Sequence, residues 1–489
     1  MSLQQNQKPK PKRRHPVASP NIAFDGIPSS IRKPGKYIEF NTLLAVRTLP
    51  GNPQLVLIIG QMLSTGSALP LVATNVFSDT QAAELFGYGS LAHLMAIDAI
   101  TSNRYLQLQI IGVPDAAAGV VATGTLTLTG TASTSGVVSL WVGDIRVDTA
   151  VAATDTPATI ATNLIAAMAS LTALPVSAAA EAGVITLTCH HKGAVGNDIK
   201  LRTQSTAGGV IAAIAAMSGG AIDPDIAPVL AAVFAAGHNI IVCPYSTPEA
   251  LTTLRNHLDD AGGPLEQRGA IGVAGWPKSL STGTTLSGDI NEGRVTIGWH
   301  NGSVKLPGQI AAAYAAVIAS EEDPARPLNT LVMSSLDVTA LADRPGRNEQ
   351  ENALHNGLTP FEVGSGNTVQ IVRAISTYTQ SLAGTPDVSL LDITTIRTLD
   401  YVRKACRERI ELRFPRNKLS ARTGPKVRSE LLDVLLKLEE LEIVEEVTAN
   451  QSSLLVERDS EDVNRLNAAI PVDIVNGLHV FAGRIDLLL

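Results

Sequence analysis

The sequence predicts a multidomain chain of mixed α/β and α+β class. A discontinuous α/β parent domain carries an inserted β-rich domain, and a C-terminal α+β domain follows, with an extended arm near each terminus. Three observations predict this. Apolar runs that read as buried strands alternate with helical stretches, the rhythm of a largely parallel sheet covered by helices. Between Pro114 and Arg202 that rhythm gives way to a Thr-, Ala- and Gly-rich stretch of short strands. Past residue 341 the charges sort into a positive block and then a negative one. The expected boundaries are 1–20 for a disordered basic extension, 21–50 for an N-terminal arm and strand, 51–113 with 206–340 for the parent, 114–205 for an outward-facing insertion, 341–477 for the C-terminal domain and 478–489 for an arm strand.

Composition narrows the function classes. At 489 residues the chain holds several cores, and 45% hydrophobic content with only 4% aromatics means that those cores are built from small aliphatic side chains. A net charge of −7 argues against wholesale nucleic-acid binding. Cys189, Cys243 and Cys406 lie far apart and give neither metal-ligand spacing nor a disulfide framework, which fits a reducing cytoplasm. No stretch has the length and purity of a transmembrane helix, and Pro16 and Pro20 stand where a signal peptide needs an apolar run. No membrane insertion is expected.

Along the chain, Lys8, Lys10, Lys12, Arg13 and Arg14 make the N-terminus a solvated Pro/Lys/Arg leader. Tyr37, Ile38, Glu39 and Phe40 have strand composition, and Pro28 and Pro34 keep their approach extended, so they read as an arm. Residues 54–60 and 105–111 read as buried strands, with helices near 80–86 and 91–102 between them. In the inserted segment, 124–129, 137–142 and 184–189 read as strands. Thr156 as cap and Pro157 at the first position start a helix whose inner face carries Ile160, Leu164, Met168 and Leu171. Gly208, Gly209, Gly219 and Gly220 close the segment. The parent rhythm then resumes with helices at 227–236, 248–259 and 307–320, a helix or turn near 287–291, and strands at 239–244, 269–274 and 294–299.

In the C-terminal region residues 369–380 alternate as a strand, with Gly364, Gly366 and Asn367 ahead of it. A helix over 394–413 follows, capped by Asp392, with Ile396, Leu399, Val402, Cys406 and Ile410 on its apolar face and cations on the other. Between Arg397 and Arg428 there are eleven Lys or Arg against three acids, and between Glu430 and Glu446 seven acids against Lys437 alone. Opposite blocks suit head-to-tail contact between copies or docking on an acidic partner; two ordinary solvated helix faces are the other reading. The surface carrying Arg397, Arg403, Lys404, Arg407, Arg413, Arg416 and Lys418 is therefore a candidate contact. At the end of the chain Val480, Phe481, Ile485 and Leu487 belong to an apolar terminal strand. Such a strand either pairs within its own sheet or completes a neighbour's by strand addition.

A parallel sheet invites an enzyme reading, but the sequence has no dinucleotide fingerprint, no phosphate-binding Gly-Lys-Ser/Thr loop, no nucleophile elbow and no zinc-protease helix. Cys189, His190 and His191 are adjacent strand residues pointing to opposite faces, so one ion cannot take all three. No catalytic, metal or cofactor-binding residue is expected. An α/β enzyme remains the competing class, and a polar pocket at the carboxyl ends of the strands 239–244 and 269–274 would mark it.

The stretches Leu341-Ala-Asp-Arg-Pro-Gly-Arg-Asn348, Leu354-His-Asn-Gly-Leu358, Ile375-Ser-Thr-Tyr-Thr379, Leu391-Asp-Ile-Thr-Thr395 and Arg413-Phe-Pro-Arg-Asn-Lys-Leu419 resemble, in order and spacing, the C-terminal domain of the Mu-like contractile tail sheath proteins of bacteriophages. Ile27-Pro-Ser-Ser-Ile-Arg-Lys-Pro-Gly-Lys-Tyr-Ile-Glu-Phe40 is similar to that family's N-terminal segment, and Asp323-Pro-Ala-Arg-Pro327 to its central loop. The resemblance implies a helical homopolymer around an inner tail tube protein, interlocked by terminal arms, with baseplate and tail terminator proteins at its ends. It implies contraction that drives the tube through the host envelope, a place in the virion tail after assembly in the host cytoplasm, and no direct nucleic-acid contact. The sheath of a phage-derived bacteriocin or another injection machine fits the same sequence.

Overall fold

The computed structural model describes residues 31–38 and 49–488. The chain divides into two units, 1–50 and 51–489. In the first, residues 31–38 form neither helix nor strand, and Tyr37 Oη donates to the Lys33 carbonyl at 3.1 Å. Ile38 is 86% exposed. Glu39 and Phe40, the rest of the expected N-terminal arm strand, lie outside the described residues, as does the basic extension 1–20.

The second unit opens with β1 (Leu55–Gln61), β2 (Ala73–Asn75), α1 (Asp79–Phe86), α2 (Leu91–Ser102) and β3 (Gln107–Val113). After an inserted segment come α4 (Ala227–Val233), β11 (Ile240–Val242), α5 (Pro248–Gly262), β12 (Ile271–Trp276), α6 (Leu280–Ile290), β13 (Val295–Trp299), α7 (Pro307–Ala319), α8 (Arg347–His355), β14 (Thr359–Val363) and β15 (Val369–Ile371). The strands of these two stretches form one eight-stranded sheet in the order β15-β14-β13-β12-β11-β1-β3-β2. It is parallel from β3 to β14, and a three-residue antiparallel strand closes each end. Central strands covered on both faces carry continuous apolar runs, and Val56, Leu57, Ile58 and Ile59 of β1 are wholly buried. Helix α7 is apolar all round and buried from Pro307 to Ile318, with Ala311, Ala312, Ala313, Ala315 and Ala316 letting its neighbours approach closely.

The inserted segment holds β4 (Val121–Thr129), β5 (Gly136–Val142), β6 (Ile145–Val151), α3 (Pro157–Met168), β7 (Val176–Glu181), β8 (Val184–Lys192), β9 (Leu201–Ser205) and β10 (Ile211–Ser218). Two antiparallel sheets, β10-β4-β8-β7 and β6-β5-β9, enclose a core with the face of α3 that carries Ile160, Leu164 and Met168. The segment's strands run past 205, since β10 pairs with β4 and an antiparallel bridge joins Val120 to Ala221. Strand β10 is half alanine, with Ile211 and Ile214 its only β-branched residues, so its composition marks it weakly as a strand and its pairing reveals it.

The segment is fastened to the parent by charge. Lys305, ahead of α7, holds Asp98 of α2 at 2.9 Å and Asp144, at the β5–β6 turn, at 2.7 Å. Lys278 meets Asp198 at 2.9 Å, and Asp115 accepts from Gln61 Nε2 at 3.0 Å and lies 2.8 Å from His191 Nδ1.

Beyond β15 the expected strand over 369–380 does not continue. Arg373 turns to make two bonds of 2.8 and 2.7 Å to Asp392, and Thr377 Oγ1 bonds the Glu292 carbonyl. These side-chain partners replace a ladder. The chain ends with α9 (Ile393–Arg413), α10 (Thr423–Glu440) and two short antiparallel pairs. Strand β16 (Val444–Glu445) pairs with β19 (Asp473–Ile474), and β17 (Leu455–Arg458) with β18 (Leu466–Ala469). Residues 478–488 belong to no strand, contrary to the expectation of a terminal strand within the chain.

Candidate assembly surface

Helix α9 turns inward Val402 and Cys406 of the face its apolar spacing predicts, but not Leu399, and it buries two arginines as well. Asp392 stands at its N-cap position, but its carboxylate accepts from Arg373 and not from the helix amides. Leu399 is exposed, whereas Arg397 and Arg409 are buried beside Thr398, Tyr401, Val402, Ala405 and Cys406. Their partners explain it. Arg397 Nη2 donates at 2.6 Å to the carbonyl of Glu321, just past α7, and Arg403 Nη1 at 2.8 Å to that of Gly262, the last residue of α5. Carbonyls at helix C-termini lack intrahelical donors and carry the negative end of the helix dipole, so α9 supplies the missing cations. Asp400 takes both Arg294 nitrogens, at 2.7 and 3.0 Å, and Arg403 Nη2 at 2.6 Å. Gly269 makes that approach possible, because a Cβ there would overlap the Asp400 carboxylate.

Helices α9 and α10 are tied by Arg409 Nη1, which donates to Glu430 at 3.2 Å and Asp433 at 2.6 Å, and by Arg413, whose Nε lies 3.5 Å from Glu430. The positive and negative blocks of the sequence thus meet first within one chain. Lys404 donates to the Gly51 carbonyl at 2.9 Å, and Arg407 to Gln267 at 3.1 Å. Of the seven predicted contact cations, Arg407, Arg416 and Lys418 are exposed, Arg403, Lys404 and Arg413 half-buried and Arg397 buried. Sequence reasoning passed over Arg409 and Arg294 as organising residues. The only trace in the sequence is an arginine one turn from Cys406 and Val402 on a helix otherwise read as apolar on that side.

Two cavities flank the sheet. One, of about 430 Å³, lies at the amino ends of the parallel strands, between Asn52, Leu55, Gln107, Asn239 and Ile271 and the α9 residues Arg397, Asp400, Tyr401, Lys404 and Arg407, with Arg268 beside them. Burial lowers the pKa of Arg397 to about 10, against the opposing pull of Glu321 and Asp323. Its Nη1 is buried without a hydrogen-bond partner. The other, of about 210 Å³, lies where the enzyme reading required a pocket, beyond β11 and β12, between Tyr245, Ser246, Thr247, Trp276 and Lys278 and the inserted segment's Asp198. Its polar groups other than Tyr245 Oη, which is buried without a partner, include several that are engaged structurally. Lys278 pairs with Asp198, Ser246 Oγ donates to the Gly275 carbonyl at 2.7 Å, and Thr247 caps α5. His191 accepts from Leu91 N at 3.0 Å and faces Asp115, and no metal-ligand group of three occurs among the described residues.

The end of the chain presents the opposite imbalance. Leu478, Val480, Phe481, Ile485, Leu487 and Leu488 are all at least 78% exposed. Beyond α10, Glu440, Glu442, Glu445 and Glu446 are exposed too, and Glu442 and Glu446 hold φ of 55° and 54°.

Known proteins resemble this chain in sequence and in fold. The model of the phage tail sheath C-terminal domain matches residues 385–487, and that of the sheath central domain matches 219–377. The Mu-like prophage FluMu tail sheath protein of Haemophilus influenzae is 34% identical over 487 residues, spanning 96% of this chain and 100% of its own length. The crystal structure of a sheath tail protein from Desulfitobacterium hafniense aligns with TM-score 0.51 at 15% identity, over 91% of this chain and 97% of that one, a likeness of fold.

Proposed function

This chain belongs to the Mu-like phage tail sheath family and is a structural subunit of a contractile tail sheath, and on that footing we propose how its parts serve the assembly. Subunits polymerise as a helical sleeve around an inner tail tube protein, between baseplate and tail terminator proteins. Contraction of that sleeve drives the tube through the host envelope. The observation that carries this reading is the terminal segment 478–488, which belongs to no strand and leaves Val480, Phe481, Ile485 and Leu487 exposed. Alternating apolar residues of this kind gain a ladder and a buried face together when they add to a neighbour's sheet. Strands given head to tail make a heterologous contact, which propagates as a helix instead of closing as a dimer.

Tyr37, Ile38, Glu39 and Phe40 serve as the second arm, and the linkers beside both arms are hinges about which rigid subunits rotate during contraction. The exposed cations Arg407, Arg416 and Lys418 face a neighbour or the tube. The inserted segment faces outward and is dispensable for polymerisation. Subunits assemble in the host cytoplasm before the tail is complete. Family membership favours a structural, non-enzymatic role. The sleeve physics is the same in a virion or a phage-derived bacteriocin.

Negative-stain electron microscopy of the purified chain, with and without residues 478–489, tests the arm. Hollow tubes from the full chain and none from the truncated one are expected. Tubes from both would remove the arm from the mechanism.

A further inference from the structure

The cavity at the amino ends of the strands is not accounted for by strand exchange. Ligands of α/β sheets lie at the opposite, carboxyl ends. Its wall nonetheless carries four cations, Arg268, Arg397, Lys404 and Arg407, against one carboxylate, Asp400. That carboxylate is already matched by Arg294 and Arg403. Arg268 pairs with Glu266 at 2.6 Å, but the other three are less well matched. Lys404 meets a backbone carbonyl and Arg407 a neutral amide, with Glu411 only at 3.7 Å. Arg397, 7% exposed, keeps one guanidinium nitrogen with no acceptor. A buried donor left unpaired is costly, and a second anion removes that cost.

The same chain carries a group of the required sign. The segment 441–446, which turns out of α10 and includes the two-residue strand β16, exposes Glu442, Glu445 and Glu446. Glu442 and Glu446 adopt left-handed backbone, with φ of 55° and 54°. We propose that the cavity is a socket for the acidic turn 441–446 of a second copy of this chain, a lateral contact separate from the terminal arms. The proposal rests on the sleeve reading for the presence of that second copy. Socket and turn share no residue, so the contact joins two unlike patches and is head to tail, as a helical assembly requires.

Charge exchange tests it on the full chain. Arg268→Glu with Arg407→Glu, Glu445→Arg with Glu446→Arg, and the chain with all four changes are compared by pelleting and negative-stain microscopy. Each pair alone is expected to lower the pelleted fraction at least tenfold with an unchanged circular dichroism spectrum, and the fourfold exchange to restore it. Either pair assembling like the unaltered chain, or failure of the exchange to restore, overturns the socket. An unaltered chain that forms no tubes counts against the sleeve instead. Cross-linking then decides the socket. Arg407→Cys and Glu445→Cys chains are mixed and oxidised, Cys189, Cys243 and Cys406 being buried. A disulfide-linked heterodimer is expected, and monomers alone overturn the proposal.

Discussion

Helix α9 and the segment 478–488 break the usual sorting of residues in opposite senses. In α9 arginines are buried where leucine is expected. In the terminal segment leucine, isoleucine and phenylalanine stand in water where charge is expected. The first inversion is resolved inside the chain for all but Arg397 Nη1, because Glu321, Gly262, Asp400, Glu430 and Asp433 supply at least one acceptor to every buried or half-buried arginine along the helix from 397 to 409. The second has no resolution among the described residues, and it is the one for which we propose a neighbouring subunit.

Removing residues 478–489 gives the largest expected effect, all of it on assembly. Tube formation is lost, while the unfolding free energy in urea moves by less than about 0.5 kcal/mol, as for a surface change. A large loss of monomer stability on truncation would erase the contrast. Arg409→Ala is expected to do the reverse. It removes the buried cation that Glu430 and Asp433 share, leaving them Arg413 and Lys437, and lowers the unfolding free energy by about 1.5–3 kcal/mol, read from the urea midpoint. Asp98 sharpens the rule for interior charge. Burial raises its pKa to about 6, with Lys305 opposing. The folded chain holds that proton more tightly than the unfolded one, so this group's stabilisation is complete below about pH 4 and is lost as pH rises through 6. The stability difference between wild type and Asp98→Asn should therefore shift against the wild type by up to about 3 kcal/mol from pH 4 to pH 7. The smallest effect is at Lys278, half-exposed beside Asp198. Lys278→Ala is expected to cost under about 1 kcal/mol, and less in high salt.

The fold was legible where one local rule decided the outcome. Gln54-Leu-Val-Leu-Ile-Ile-Gly60 matched β1 to within a residue because a strand covered on both faces has no polar alternation to confuse it. Thr156 and Pro157 placed the start of α3, and the Thr156 side chain accepts from Thr159 N. Tertiary partners hid the rest. Nothing local distinguishes Arg397 or Arg409 from a solvated arginine, since the carbonyls and carboxylates that hold them lie 21 or more positions away. The alternation of 369–380 was real, but Arg373 and Thr377 had partners in Asp392 and Glu292 that a strand would have forgone. The charge blocks of the candidate surface were visible as numbers, and the missing information was how much of each the other neutralised within one chain.

The two ends of the main sheet carry a last consequence. Strands β2 and β15 are three residues long and antiparallel to the strands they cover. An incoming backbone finds only a three-residue template at either end of the main sheet, so that sheet offers no long edge at which two chains could zip together.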